Sequence, residues 1–380
     1  MEIHGFCDAR FAPVREVFET NFSERGDVGA SFAATVDGEY VVDLWAGHAD
    51  AAKTRPWTED TIVNVFSTTK TMTFLTALML ADQGKLDLDA PVIQYWPEYG
   101  QKGKEKTLVR HFLSHTAGVP GFAPAVTAAE LYDWDTCTAN LAAQEPWWEP
   151  GSRSGYHANT QGYLIGELVR RITGKSFGTY FRETVAGPLG ADFHVGLAPA
   201  DFPRVAEMIF PKQNDEVTPP TMDPSSITAR VFSSADVGDN DVNSPAWRQA
   251  EIPAANGHGN ARSVVRAQTA LANGGSAFGV NLLSEAGCRR MLEEQTDGTD
   301  AVLMMPIRFG MGYAFPNALI PASPSQSGMF WGGGGGSTIV VDPEHHVCLS
   351  YVMNQMAPAM VGDSRGGSLG KVFYDALQAG

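Results

Sequence analysis

Apolar residues recur at helical spacing from Phe11 to Phe22, and the pattern then shortens to that of strands. VGASFAATVDGEYVVDLWAG, Val28 to Gly47, predicts two strands around Asp37-Gly38, a dipeptide that accepts the positive φ of a tight hairpin. TIVNVF, Thr61 to Phe66, predicts a further extended piece. The run after it, through Phe74, Leu75, Leu78, Met79 and Ala81, is apolar on most sides, which marks a buried helix stopped by Gly84. From about Ala90 to Gly298, helical segments such as GYLIGELVRRITG alternate with loops such as PPTMDPSS. Strand patterning returns in GGGGGSTIVVDPEHHVCLSYVMNQ, around an Asp342-Pro343-Glu344 turn. The chain closes with SLGKVFYDALQAG, which sets Leu369, Val372, Phe373, Ala376 and Leu377 on one helical face.

Strands at both ends with helices between them predict an α/β protein of the α+β type. Residues 1–85 and 300–380 are expected to build one sheet with flanking helices, and residues 86–299 form an inserted, mostly helical region. Hairpin connections make that sheet antiparallel.

Composition narrows the function. The formal net charge is −16 with no Lys/Arg-rich block, which argues against nucleic acid and anionic membrane surfaces as partners. The apolar stretch around Thr73 to Ala81 is too short to span a bilayer. MEIHGFCDARF has neither a basic n-region nor an apolar h-region, so it does not read as a secretory signal. Cys7, Cys137, Cys288 and Cys348 are scattered without a CxxC pair, the usage expected of reduced thiols in a cytoplasmic protein. The sequence carries no signal for oligomeric state.

One lysine breaks the buried helix. In VFSTTKTMTF, Lys70 lies one turn after Ser67 inside an otherwise apolar run. Burying an ammonium is costly, and a cation in a helix's first turn opposes the macrodipole. Ser-x-x-Lys puts a hydroxyl and an amine on one face, where an amine of lowered pKa takes or shares the serine proton. A snorkelling lysine with its stem on the core is the structural alternative. About one chance match to this spacing is expected in a chain of such length. A second occurs at Ser368-Leu369-Gly370-Lys371, overlapping GGSLG, which has the form of a G-x-S-x-G nucleophile elbow. Ten residues follow Gly370 and none is a histidine, so that elbow lacks its partners. Ser368 reads instead as the N-cap of the C-terminal helix.

The surroundings of Ser67 resemble the serine β-lactamase and penicillin-binding-protein superfamily, most nearly class C β-lactamases and family VIII carboxylesterases. The likeness runs through FSTTKTMT, GKLDLDAPVIQYWPEY, TLVRHFLSHTAGVP, PGSRSGYHANTQGYLIGELVRRITGKS, ANGHGNARSVVRAQTALANGG and FWGGGGGSTIVVDPE, in that order. It implies that Ser67 is an acylated nucleophile activated by Lys70. It further implies that Tyr156 is the general base, its phenol acidified by the lysine. Members of the β-lactamase type carry Asn two places after that tyrosine; here the place is Ala158, and Asn159 follows. The third motif, Lys or His then Thr or Gly then Gly, appears as Trp331-Gly332-Gly333, the form of the esterase branch. A cation at its first place would pair with the carboxylate of a β-lactam or D-alanyl peptide, and Trp331 offers an apolar face and one indole N–H instead. The glycines let a strand approach the scissile carbonyl, with the N–H of Gly334 as second oxyanion donor beside that of Ser67.

Other features carry bland alternatives. The glycine run also reads as a bend or bulge at a sheet edge. His111 and His115 are four apart, but no H-E-x-x-H pattern or third ligand accompanies them, so no metal and no cofactor is expected. His157 and Trp148 are candidates to line the cleft, with Trp134, Trp147 and His258 weighed beside them; ordinary packing is the alternative for each. The expected activity is hydrolysis of small, short-chain acyl esters. The rivals are a β-lactamase or D-alanyl-D-alanine peptidase, an acyltransferase sharing the acyl-enzyme, and a non-catalytic ligand-binding homologue.

Overall fold

The computed structural model describes residues 1–211 and 223–379. Among these, nine strands make one antiparallel sheet: β1 (Ile3–Cys7), β2 (Gly29–Val36), β3 (Glu39–Gly47), β4 (Thr296–Thr299), β5 (Pro306–Phe309), β6 (Ala314–Phe315), β7 (Met329–Gly332), β8 (Thr338–Asp342) and β9 (Val347–Met353). Their order is β1-β3-β2-β9-β8-β7-β6-β5-β4, so the two ends of the chain meet in the middle, where β9 pairs with β2. The Asp37-Gly38 hairpin is present, with φ of 51° and 83° at its two central residues.

Helices cover both faces. α1 (Ala12–Glu24) and the C-terminal helix pack together on one side, where Phe11 and Phe373 stack with ring centroids 4.6 Å apart. A second helix, Ala261–Ala272, covers the other side. Neighbouring residues of β9 show the alternation: Cys348 Sγ lies 3.8 Å from Val265 O on that helix, while Leu349 faces Gly370 of the C-terminal one. The sheet layer therefore takes back the chain earlier than residue 300, the boundary expected from sequence. Thr296–Thr299 is already a strand of the sheet, and Ala261–Ala272 packs on its face.

The serine-bearing helix, α2 (Thr69–Asp82), is buried at every position from Thr69 to Leu80 and abuts the helix Thr160–Thr173. Its threonines are satisfied internally: Thr71 Oγ1 donates to Thr68 O, Thr73 Oγ1 to Pro253 O and Thr76 Oγ1 to Met72 O. Gly84, at φ 67°, ends it as expected. One expectation shifts. The C-terminal helix spans Ser364–Ala379, so Ser368 lies in its second turn and not at its cap; Asp363 accepts from Arg365 N at 2.8 Å instead. Of the PPTMDPSS loop, Pro219 to Met222 lie outside the described residues, and Ser226 caps the helix Ile227–Phe232.

Candidate active site

The turn carrying Ser67 is held from both sides. Val63–Asn64 pairs antiparallel with His258–Gly259, and Phe66 then adopts φ 45°, a left-handed conformation uncommon for an aromatic residue. Such strain persists where the surroundings over-determine it, and sharp turns before nucleophiles are such places. Thr68 is the N-cap, so Ser67 stands just ahead of α2 with its N–H at the positive end of the helix. Among the described residues that N–H has no acceptor.

Ser67 Oγ is the meeting point of two side chains. The Tyr156 hydroxyl lies 2.5 Å from it and Lys70 Nζ 3.1 Å from it. Lys70 also donates to Ala158 O at 2.7 Å and Ala254 O at 2.8 Å, and its nitrogen sits 4.7 Å from the Tyr156 ring centroid. The snorkelling alternative is thereby excluded, since the amine never reaches water. Burial drives the Lys70 pKa well below the ordinary lysine range. A neutral amine that gives its two protons to the carbonyls of Ala158 and Ala254 points its lone pair at Ser67. Burial also raises the Tyr156 pKa, against the lowering effects of Ser67 and of the nearby Trp331. Burial thus works against the acidified phenol that the resemblance implies.

Tyr156 is set by a buried polar frame. Asp300 Oδ1 accepts from the Tyr156 N–H at 3.0 Å and from Val302 and Leu303 N–H, each at 2.9 Å. Behind the ring stand His115, Phe309 and Trp331, with Trp331 5.4 Å away, centroid to centroid. Trp331 is fully buried, so it does not offer a face to substrate as expected; it backs the tyrosine. His157 is likewise fully buried: Nδ1 bonds Gly155 O at 2.6 Å and Nε2 accepts from Val119 N at 3.3 Å. That pairing fixes a neutral tautomer, and burial lowers its pKa to about 3. It shapes the tyrosine loop and does not line the cleft.

Gly332 ends β7 opposite Thr338, and Gly333 to Gly336 make the turn to β8, so the bend reading is correct as far as it goes. A Cβ on Gly333 would lie 2.3 Å from Val65 O and 3.1 Å from Ser67 N, so glycine is what lets this turn touch the Ser67 turn. A Cβ on Gly332 would meet Gly362 N at 2.6 Å. Both glycines thus serve close backbone approach and, being buried, are not themselves a substrate surface. Gly334 differs: open space surrounds its Cα, and its N–H has no acceptor among the described residues. Ser337 joins the two turns, because its Oγ donates to Val65 O at 2.8 Å and accepts from Thr68 Oγ1 at 2.9 Å. Two N–H groups without acceptors among the described residues, those of Ser67 and Gly334, therefore stand on turns that Ser337 links.

The remaining candidates pack. Trp148 is buried against Gly155 and edge-on to His157, and Trp134 donates to Glu167 at 2.9 Å; Arg230 covers Trp147. His258 is buried with Nδ1 on Asn256 O. His111 Nδ1 accepts from Leu108 N, and His115 Nδ1 accepts from His157 N, so each of these side chains is spent on backbone. Asn159 starts the helix Thr160–Thr173 without capping it, while the main-chain oxygen of Ala158 serves Lys70. Ser368 donates to Ser364 O and Lys371 pairs with Asp375, so the second Ser-x-x-Lys is not a pair at all. Those two residues line a cavity of about 860 Å³ that Ser67, Lys70 and Tyr156 do not touch.

Sequence reasoning missed Ser337, Asp300 and the carbonyl of Ala254. Ser337 follows the glycine run directly and was within reach; Asp300 grips main-chain N–H groups and Ala254 offers its own carbonyl, and partners on the backbone leave no pattern.

This chain matches the Beta-lactamase family over residues 16–369. It is 36% identical to "Esterase/beta-lactamase LipL" of Mycobacterium tuberculosis (strain ATCC 25618 / H37Rv), over 99% of this chain and 88% of that protein. The crystal structure of a family VIII carboxylesterase superposes with a TM-score of 0.92 at 39% identity, covering 99% of this chain and 100% of the other. A penicillin-binding-protein homologue from Caulobacter crescentus follows at 0.90 and 38%, with the same coverage.

Proposed function

Since the chain belongs to the Beta-lactamase family and is a serine hydrolase, we propose that it is a carboxylesterase cleaving small, short-chain acyl esters through an acyl-enzyme on Ser67. The observation that carries this reading is the Ser67 oxygen held at once by Tyr156 and Lys70 beside two unpartnered N–H groups.

Ser67 Oγ attacks the ester carbon while its proton passes to the neutral Lys70 amine, and the new oxyanion faces the N–H groups of Ser67 and Gly334. As the carbon–oxygen bond to the alcohol breaks, Tyr156 donates its phenolic proton to the departing alkoxide. The acyl-enzyme then sits beside an ammonium and a phenolate, each stabilising the other. In deacylation the phenolate takes a proton from water, whose oxygen attacks the acyl carbon. Ser67 Oγ leaves with the proton held by Lys70, and the starting protonation returns. Lys70 is thus the base of acylation and Tyr156 that of deacylation, an assignment supported by the directions in which burial moves the two groups.

An ester is favoured over an anionic β-lactam or D-alanyl peptide because the third motif opens with a buried tryptophan and no cation. The net charge of −16 adds a field unfavourable to anions. The name of the Mycobacterium tuberculosis relative couples both activities, which keeps slow β-lactam opening as the second reading. The free thiols Cys7, Cys137, Cys288 and Cys348 support a reducing, cytoplasmic setting. Among the described residues no helix is long and apolar enough to cross a membrane.

Short-chain p-nitrophenyl esters run beside nitrocefin, for wild type, Ser67→Ala and Ser368→Ala, test the proposal. Ester turnover that dominates and vanishes only with Ser67→Ala is the expected result. Loss with Ser368→Ala instead, or a higher kcat/KM for nitrocefin, would overturn it.

A further inference from the structure

Four consecutive glycines, Gly333 to Gly336, form the turn that presents Gly334, and glycine has the greatest backbone freedom of any residue. Within the turn, the peptide bearing the Gly334 N–H is fixed only by its Gly333 carbonyl, which accepts from Gly336 N at 3.2 Å. Its rigidity has to come from outside.

We propose that Arg365 is a positioning residue for the oxyanion site, holding the Gly334 N–H in place by clamping Gly335 and Gly336 from behind. Arg365 Nη2 donates to Gly335 O at 2.7 Å, and the same carbonyl accepts from Ala357 N at 2.9 Å, so both its lone pairs are taken. Gly335 N–H in turn donates to Ala359 O at 2.9 Å. Gly336 lies flat against the guanidinium: a Cβ there would stand 2.7 Å from Arg365 Nη2 and 2.5 Å from Asp363 Oδ2. The clamp therefore reaches Gly334 through Gly336, whose N–H orients the Gly333 carbonyl.

The guanidinium is itself fully used. Nε and Nη2 donate to Asp363 Oδ2 at 2.8 and 2.6 Å, and Nη1 to Asp27 Oδ1 at 2.6 Å and Gln355 O at 2.9 Å. With Gly335 O these take all five of its N–H donors. Asp27 is fixed further by the Tyr351 hydroxyl, at 2.7 and 2.6 Å from its two oxygens. Both Arg365 and Asp27 are buried, so the fork is locked into the seam where the two ends of the chain meet. A lysine has the charge but neither the fork nor the five donors. Because Asp27 and Asp363 already occupy its fork, this arginine is no carboxylate receptor; its role is geometric.

The inference rests on the proposed acyl-enzyme chemistry and predicts a loss specific to oxyanion stabilisation. The test compares a p-nitrophenyl ester with its thiono analogue, whose sulfur accepts hydrogen bonds weakly and gains less from the two N–H donors. Arg365→Lys is expected to lower kcat for the oxygen ester roughly tenfold or more with KM within about twofold. The oxo/thiono rate ratio should fall by a similar factor. Val14→Ala, a core truncation in α1, is the control: it should lower Tm and leave the ratio at the wild-type value. Asp27→Asn removes the counter-charge of the fork with little change of shape, and its ratio should move the same way by less. An unchanged ratio in whichever of Arg365→Lys and Asp27→Asn folds would overturn the proposal. Turnover that survives Ser67→Ala would instead sink the acyl-enzyme reading, so the two failures are distinguishable.

Discussion

Acidification should unfold this protein through histidines that frame its site. His157 and His258 are buried and neutral, each with its pKa lowered to about 3, chiefly by burial. Arg248 adds like-charge repulsion at His258, and the carbonyls of Asn256 and Gly155 partly oppose these effects. A depressed histidine pKa means that the unfolded chain binds more protons, so the stability these groups contribute is complete above about 6.5 and is lost as pH falls toward 3. At pH 5 each has lost about 2 kcal/mol, or about 4 kcal/mol together. His115, lowered further by burial, acts in the same direction. Asp27 opposes them: burial raises its carboxyl to about 6 despite Arg365, so its burden is relieved on acidification, returning about 1 kcal/mol by pH 5. A net loss of about 3 kcal/mol is a large part of a typical stability of about 5–15 kcal/mol. Urea unfolding followed by tryptophan fluorescence at pH 7.5 and 5.0, at matched ionic strength, measures it. The midpoint should drop sharply at pH 5.0, and His157→Gln, which keeps a donor and an acceptor, should drop only about a third as far. Equal midpoints at the two pH values, or a His157→Gln variant as acid-sensitive as wild type, would refute the reasoning.

Two further outcomes follow from the geometry. Gly333→Ala places a methyl group 2.3 Å from Val65 O and 2.5 Å from Ser337 Oγ, so the two turns must part; kcat should fall by about 100-fold or more, with a lower Tm read by differential scanning fluorimetry. Tyr156→Phe keeps the ring against Trp331 and removes the proton carrier. Its kcat should fall by about 10²–10⁴ with little change in KM, and an acyl adduct on Ser67 should accumulate in intact-mass spectra, because water has lost its base.

Local chemistry made much of this legible in advance. Asp37-Gly38 and the apolar run after Ser67 are strong signals because turn dihedrals and burial act on neighbouring residues, and both elements stand where the pattern puts them. Ser67, Lys70 and Tyr156 converge as the three motifs imply. What the chain conceals is which way a side chain faces. Trp331 and His157 sit beside motif residues, yet both turn inward, because a strand alternates and a loop folds back on its own carbonyls. The error at Ser368 has another cause. Glycines at 366, 367 and 370 look like a helix boundary, but Asp363 had already capped the helix and glycine was tolerated inside it. The extent of the inserted region was misjudged because Ala261–Ala272 is amphipathic like any helix, and nothing in its pattern says that a sheet is its partner.

A buried lysine is costly only if it must carry its charge there, and this site removes that requirement. With amine and phenol both neutral, the resting pair places no net charge in the core, and two backbone carbonyls and one hydroxyl satisfy the nitrogen. In the proposed mechanism the ammonium arises as Ser67 attacks, balanced by the oxyanion, and the phenolate takes over as its counter-charge once Tyr156 has given up its proton, so each charge lowers the cost of the other. The same economy explains the third motif. A cation at position 331 would stand next to Tyr156 and favour its phenolate at rest, at the expense of the phenol needed to protonate the leaving alcohol. Trp331 supplies bulk and one indole N–H and leaves the pair neutral. Trp331→Lys should therefore shift the acid limb of the kcat profile to lower pH while slowing esters with poor leaving groups more than p-nitrophenyl esters, which depart without a proton. If alkyl and p-nitrophenyl esters slow equally, the tyrosine does not serve as the acid of acylation.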